Sequence, residues 1–381
     1  MKKTLLALAL MTGFAGVTQA ETSVTLYGVL DGGIAYQRLK GTVDGKRVSQ
    51  KYTGMINAFE YGNRWGLRGT EDLGEGLQAV FQLESGFDLG TGQSAQGGRL
   101  FGRQATVGLR SDAWGRLDLG RQATLGSNYV PDVASPFNNS FGLATVGTVI
   151  GGLNTVYLDN MIMYQTPVVS GLQLGVGYSF NRSGNQRFGA NNENSRAWTA
   201  AIRYSNGPLA LAASYDRNKA PHDEGGVRVS DWTLAASYDF DVAAIYAGFG
   251  QSRNGWQNSV DYIGFPTDNL TATQVEDFVE PIKDGYIVND GMKVNSYSLG
   301  VSAPLGGGTL MAAWGMADPR SRGDVIKSSG IVDKMQLYAI GYSYNFSKRT
   351  SMYAVGAYVK NYSMLKGLKA HQAAVGLVHK F

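Results

Sequence analysis

Beyond residue 20 the sequence is built from short segments of period-two polarity, and none of its apolar runs is long enough to cross a bilayer as a helix. Residues 22–37 set Val24, Leu26, Gly28, Leu30 and Ile34 on one face against Thr25, Tyr27 and Asp31 on the other. Such alternation is the period of a strand with two different surroundings. Inside lipid every backbone polar group must be satisfied internally, which helices and closed barrels achieve, and a barrel strand needs only ~9–11 residues. Further segments follow at 57–70, 76–88, 98–111, 114–121, 155–167, 171–182, 194–205, 208–217, 228–239, 241–251, 293–303, 308–317, 333–346, 349–360 and 368–381, sixteen in all. An even count is what a closed antiparallel barrel of this type requires.

The connectors sort into two kinds that alternate along the chain. Short ones lie at 71–75, 112–113, 168–170, 206–207, 239–240, 304–307 and 347–348, several made of Gly, Asn, Asp or Pro, the residues that supply turn dihedrals. Long ones lie at 38–56, 89–97, 122–154, 183–193, 218–227, 252–292, 318–332 and 361–367. Tight turns on one rim and loops on the other describe an up-and-down barrel with a periplasmic and an extracellular end. In 230–240, Trp232, Leu234, Ala236, Tyr238 and Phe240 oppose Asp231, Thr233, Ser237 and Asp239, so one face is greasy and ends in aromatics. Aromatic ends of this sort suit the two bilayer interfaces. On the last segment His379, Leu377, Val375 and Ala373 point outward, while Lys380, Val378 and Gly376 point to the lumen.

The first twenty residues read as a separate object. Lys2 and Lys3, an apolar core from Leu5 to Val17, and Thr18-Gln19-Ala20 have the order of a cleavable secretory signal peptide, leaving 21–381 as one barrel domain. Absence of cysteine excludes disulfides, thiolate nucleophiles and Cys-held metals. Of 34 basic residues two fall in the leader, so 32 face 30 acidic ones, too even a balance to argue for nucleic acid. Gly 52 beside Tyr 21 separates the chain from disordered low-complexity sequence, which lacks aromatics.

The stretches TLYGVLDGGI (25–34), NRWGLRGTEDLGEGLQAVFQLESGF (63–87), GRLFGRQATVGLR (98–110), GRLDLGRQ (115–122), LDNMIMYQTP (158–167), GLQLGVGYS (171–179) and AVGLVHKF (374–381) resemble the trimeric outer-membrane porins of Gram-negative bacteria, above all the beta-proteobacterial branch. That resemblance implies an all-β, transmembrane 16-stranded antiparallel barrel, a homotrimer, and a third long loop folded into the lumen. It also implies passive diffusion of ions and small hydrophilic solutes through a water-filled channel, without a cofactor. Implied partners are outer-membrane lipid and lipopolysaccharide, and the barrel-assembly machinery. That machinery reads a terminal aromatic strand, which assigns Phe381 to insertion and barrel closure.

The third long loop is 122–154, and Asp132 is its single acidic residue, a candidate for the negative side of a constriction or simply a turn former after Pro131. Trp65 and Leu67 take one face of their strand, which puts Arg64 and Arg68 in the lumen. Arg116 opposes Leu117, Arg121 stands where the strand enters the loop, and Arg203 opposes Ile202 and Tyr204. Arg103 is undecided, since its register groups it with Ala105, Val107 and Leu109. Asp159, Met161 and Met163 form the expected lumen set of their strand, with Leu158, Ile162 and Tyr164 toward lipid. Many relatives carry basic residues where Tyr157 and Met163 stand here, and a serine where Met161 stands, so this wall is less charged. Arginines facing a carboxylate favour anions. The expectation is a pore with weak to moderate anion preference.

Catalysis finds no constellation. His371 and His379 stand about 25 Å apart along an extended strand, and no nucleophile elbow, phosphate loop or zinc helix occurs. Acidic residues between Asp261 and Asp290 match no calcium spacing. Two other readings stand beside the general pore. One is a substrate-selective channel for sugars or small anions, with Tyr27 and Tyr157 as inward aromatics. The other is a non-channel surface barrel or adhesin that uses the 252–292 loop.

Overall fold

The computed structural model describes residues 23–43, 45–154, 157–186, 193–219, 227–257, 286–322 and 332–381. The first half holds β1 (Ser23–Val43), β2 (Lys46–Asn57), β3 (Arg64–Gly74), β4 (Leu77–Gly86), β5 (Gln104–Ser111), β6 (Gly115–Ala123), β7 (Tyr157–Gln165) and β8 (Leu172–Ser179). It continues with β9 (Arg196–Asn206), β10 (Leu209–Lys219), β11 (Arg228–Asp239), β12 (Ala244–Gln257) and β13 (Tyr286–Leu305). β14 (Gly308–Arg322), β15 (Met335–Asn345), β16 (Thr350–Lys360) and β17 (Lys369–Lys380) complete the sheet. Every pairing is antiparallel, and all but β1–β17 and β1–β3 join strands adjacent in sequence.

Seventeen strands make sixteen staves. The lower half of β1, Ser23–Val29, pairs with β3, while its upper half, Gly32–Val43, pairs with β2. Two strands therefore share one edge, as a single stave broken at 58–63. Asp31 organises the break: its carboxylate accepts from the backbone N–H of Glu60 at 2.5 Å and of Tyr61 at 2.8 Å. Asn63 locks the same residue, accepting from its N–H at 2.5 Å and donating to its carbonyl at 3.0 Å. The expected strand at 57–70 is thus divided, and the expected loop at 38–56 is largely a β-hairpin.

Closure is made by the chain's two ends. Val29–Lys40 pairs with Lys369–Lys380, and Phe381 exchanges both backbone hydrogen bonds with Gly28, at 3.0 and 3.1 Å. No edge strand is left to aggregate. The outer face is apolar: Leu26, Ile34, Val107, Leu234, Ile340 and Leu377 are each more than half exposed in the single chain. In water such a belt would be a large liability, whereas lipid solvates it. Aromatic groups mark both ends of the belt. Tyr238–Phe240 and Tyr344–Phe346 lie at the turn rim, and Tyr178–Trp198 and Tyr338–Tyr358–His371 at the loop rim.

Leu158 departs from the expected alternation. It is 2% exposed, not lipid-facing, because Asn160 adopts a left-handed backbone (φ 51) that breaks the period and buries Leu158 and Asp159 together. Ile162, Met161 and Met163 keep their expected sides, the first exposed and the methionines buried. Residues 98–103, expected as strand, form a turn instead, and β5 starts at Gln104. The leader, most of the 252–292 loop and its acidic run apart from Asp290 lie outside the described residues.

Candidate pore constriction

The segment after β6 is apolar and short of charge, so water is a poor environment for it and a wall is a good one. Thr124 caps a helical turn at Leu125–Tyr129, accepting from the Ser127 N–H, and Pro131 opens a second turn at Pro131–Ala134. Three 3-10 turns follow at Gly142–Ala144, Val146–Thr148 and Gly151–Leu153. Leu125, Val130, Ala134, Phe137, Leu143 and Leu153 are wholly buried. At ~1.5–3 kcal/mol for each large apolar side chain, that burial suffices to hold the loop inside.

The barrel's inner wall is cut to receive it. Inward positions on β12–β15 are glycines: Gly248 and Gly250 leave room for Ala134 and Ile150, Gly300 for Pro136, Gly315 for Val149 and Gly341 for Phe137. A Cβ at any of these would meet the loop. Polar anchors fix the register: Thr199 Oγ1 accepts from the Leu125 N–H at 2.8 Å, and Ser298 Oγ donates to the Ala134 carbonyl at 3.1 Å. Gln372 clamps both sides, accepting from the Leu143 N–H and donating to the Phe141 carbonyl, each at 2.9 Å. Phe59, turned inward by the broken stave, stacks on Tyr353, which meets Phe141 edge-on. Tyr129 donates to Gln165 Oε1 at 2.8 Å; burial pushes its phenol up to about 12 despite the nearby Arg203 charge, so it remains a donor.

Loop contacts run over β8–β17 and reach Gln165 at the foot of β7. The wall they leave largely bare, on β3–β7, carries the charge. Glu84 is shared by three groups: Arg103 Nε at 2.6 Å, Arg64 Nε at 3.6 Å and the Tyr27 hydroxyl at 2.8 Å. Asp159 is shared likewise, by Arg121 at 2.6 Å, Arg99 at 2.8 Å and the Gly184 N–H at 2.7 Å. Tyr157 lies between the two groups, with the Arg103 and Arg121 guanidiniums 5.3 and 5.8 Å from its ring centroid. Arg116 makes a bidentate pair with Asp118 at 2.6 and 2.8 Å. Arg68 stacks over Tyr27 at 5.4 Å, and no carboxylate among the described residues pairs with it.

The expected site residues therefore fall into separate groups. Arg64 and Arg68 share the inner face of β3, Arg121 and Asp159 form one ion pair, and Arg116 sits lower on β6 with Asp118. Alternation would send Arg121 outward with Leu117 and Leu119. A register shift between Gly120 and Gln122, with Gly120 at φ 128, turns it inward. Asp132 meets only Arg203, at 2.7 Å, so the loop carboxylate does not face the main arginine group, whose counter-charges are on the wall. Arg99, Arg103 and Glu84 complete the arrangement without having been assigned beforehand. Glu84 is legible by alternation against Leu83; Arg99 and Arg103 are not, because 98–103 leaves the strand period. Phe381 lies at the seam, at the turn rim.

Among the described residues no three His, Asp or Glu side chains gather as a metal site. The fold agrees with that of known relatives. The Gram-negative porin family profile matches residues 6–363. An outer membrane porin protein of Bordetella pertussis is 45% identical, with 100% of each chain covered. Outer membrane porin protein 32 of Delftia acidovorans is 30% identical over 95% of this chain and 90% of its own. Among solved structures, an anion-selective porin from Comamonas acidovorans superposes with a TM-score of 0.68 at 27% identity, covering 95% of this chain and 100% of that one. The chain thus belongs to the Gram-negative porins, outer-membrane barrels that act as passive diffusion channels and not as enzymes.

Proposed function

We propose that this porin is a general channel for small hydrophilic solutes and ions with a weak to moderate preference for anions, set at a waist between the 122–154 loop and the β3–β7 wall. One observation carries the reading. Six arginines on that wall (64, 68, 99, 103, 116 and 121) face three carboxylates (84, 118 and 159), leaving three positive charges uncompensated. Asp132 adds nothing net, because Arg203 neutralises it. A lumen lined by excess positive charge attracts anions and repels cations. The relative of known structure described as anion-selective supports the same sign.

Arg64, Arg68, Arg116, Arg121, Asp132, Asp159 and Arg203 are the residues through which the preference would act. Assembly as a homotrimer, cleavage of residues 1–20 on export, and recognition of Phe381 by the barrel-assembly machinery belong to the same reading. A reversal potential across a planar bilayer in a KCl gradient tests it. Anion preference is expected, and a cation-side potential would overturn the assignment. Chemical cross-linking of the folded protein tests the trimer, with a ladder ending at three subunits as the expected result.

A further inference from the structure

Arg99 and Arg103 reach the charged wall from outside the strand pattern, on the segment that joins β4 to β5. That segment reverses through three successive left-handed residues, Gln96, Gly97 and Gly98, at φ 50, 74 and 77. Glycine adopts this region freely, whereas a non-glycine residue is held there only where its surroundings over-determine it. Asn and Asp are the usual exceptions, and a glutamine is not. The side chain of Gln96 therefore has a fixed place that repays its backbone.

That place lies against two glycine backbones. A Cβ on Gly86, the last residue of β4, would stand 2.2 Å from Gln96 Oε1, and one on Gly102 would stand 2.6 Å from Gln96 Cβ. Gln96 Oε1 is buried and accepts no hydrogen bond among the described residues, so the side chain acts by its volume and not by its polarity. The same notch takes the stem of Arg103: a Cβ on Gly86 would stand 3.1 Å from Arg103 Cδ, and one on Gly62 2.5 Å from its Nη1. Gln96 thus closes a cradle around Arg103. Beside it the Arg103 N–H donates to the Glu84 carbonyl at 3.2 Å, and the Gly102 carbonyl accepts from Arg121 Nε at 2.8 Å.

We propose that Gln96 is a positioning residue for ion selectivity, a peg seated against Gly86 and Gly102 that holds the 94–103 turn on the wall and so fixes Arg99 and Arg103 at the waist. The inference rests on that waist lying along the ion path. Gln96 carries no charge and its Oε1 is buried, so its influence runs through the two arginines. Without the peg the turn has nothing beneath it, and both guanidiniums withdraw while Glu84 and Asp159 stay on β4 and β7. Each change favours cations.

The test compares three substitutions in full-length folded protein. Gln96→Gly removes the side chain and leaves the backbone at ease, Gln96→Asn shortens it by one methylene at a φ that asparagine tolerates, and Gln96→Met restores its length without the amide. Reversal potentials in a KCl gradient are read in the wild-type background and in R99Q/R103Q, with heat-modifiable migration as the check on folding. Q96G and Q96N should lower the anion-to-cation ratio by about twofold, the change Coulomb's law gives when two charges withdraw from ~6 to ~9 Å of the ion path at ~0.1 M salt. Q96M should stay near wild type. In R99Q/R103Q, Q96G should add nothing, because the two perturbations act through the same groups. A cation-preferring wild type would overturn the channel's assigned sign, yet a twofold Q96G shift that R99Q/R103Q abolishes would still support the peg. An unchanged ratio in Q96G or in R99Q/R103Q, an equal Q96G effect in both backgrounds, or Q96M behaving as Q96G overturns it. If neither Q96G nor Q96N folds, Gln96 supports the barrel as a whole, and the selective role is overturned as well.

Discussion

Arg68 offers the cleanest perturbation of the channel. Its guanidinium stacks on Tyr27 and has no carboxylate partner among the described residues, so Arg68→Gln removes one of three uncompensated charges without stranding an acid. Substitution at Arg64, Arg103 or Arg121 would instead free Glu84 or Asp159 in part and mix two effects. For an ion passing ~6 Å away in water, Coulomb's law gives ~0.7 kcal/mol per unit charge, and salt at ~0.1 M halves this to ~0.4 kcal/mol. The change is favourable for one ion sign and unfavourable for the other, so the anion-to-cation ratio shifts by ~0.8 kcal/mol, about a fourfold fall in anion preference. Reversal potentials in a KCl gradient measure this directly, and raised ionic strength should shrink the difference between variant and wild type. An unchanged ratio, or one that moves toward anions, would show that the ion path does not pass this wall and would refute the reasoning.

Asp132→Asn frees Arg203 and should move selectivity the other way, toward anions, with little loss of stability because the pair is solvent-exposed and worth about 0–1 kcal/mol; the same bilayer measurement checks it. Gly300→Val places side-chain atoms where Pro136 packs, so overpacking of about 1–3 kcal/mol should displace the 122–154 loop and change single-channel conductance. Asp159→Asn removes the shared partner of Arg99 and Arg121 and should both raise anion preference and lower the unfolding temperature of the barrel. Deleting Phe381 removes two backbone hydrogen bonds at the seam as well as the terminal aromatic, and should reduce the folded, heat-modifiable fraction in the outer membrane; native levels would count against its assigned role.

The stave pattern was legible because each strand has two unlike surroundings, lipid and lumen, and period two survives any detail of packing. The strand at 228–239 agrees residue for residue, and the turn rim at Asn206-Gly207 needs the positive φ that Gly207 adopts. Errors arose where the backbone leaves that period. Asn160 in the left-handed region, the register shift after Gly120, the break held by Asp31 and the turn at 98–103 each re-aim side chains that alternation would place elsewhere. These irregularities cluster at the waist, so Arg99, Arg103 and Arg121 were the hardest residues to orient. Their carboxylate partners lie 19 to 60 positions away in the chain, a separation no local pattern encodes.

By itself, then, the sequence determined a membrane barrel, its stave order and its two unlike rims, while the entry of the third long loop into the lumen was implied only by the resemblance to porins. Local alternation and turn chemistry suffice for the first three, since each depends on near neighbours. Only the tertiary structure decided how charge is distributed inside. The loop's Asp132 is taken up by Arg203, and the wall arginines share Glu84 and Asp159. Ion pairing depends on distances of a few ångströms between strands that meet only when the barrel closes.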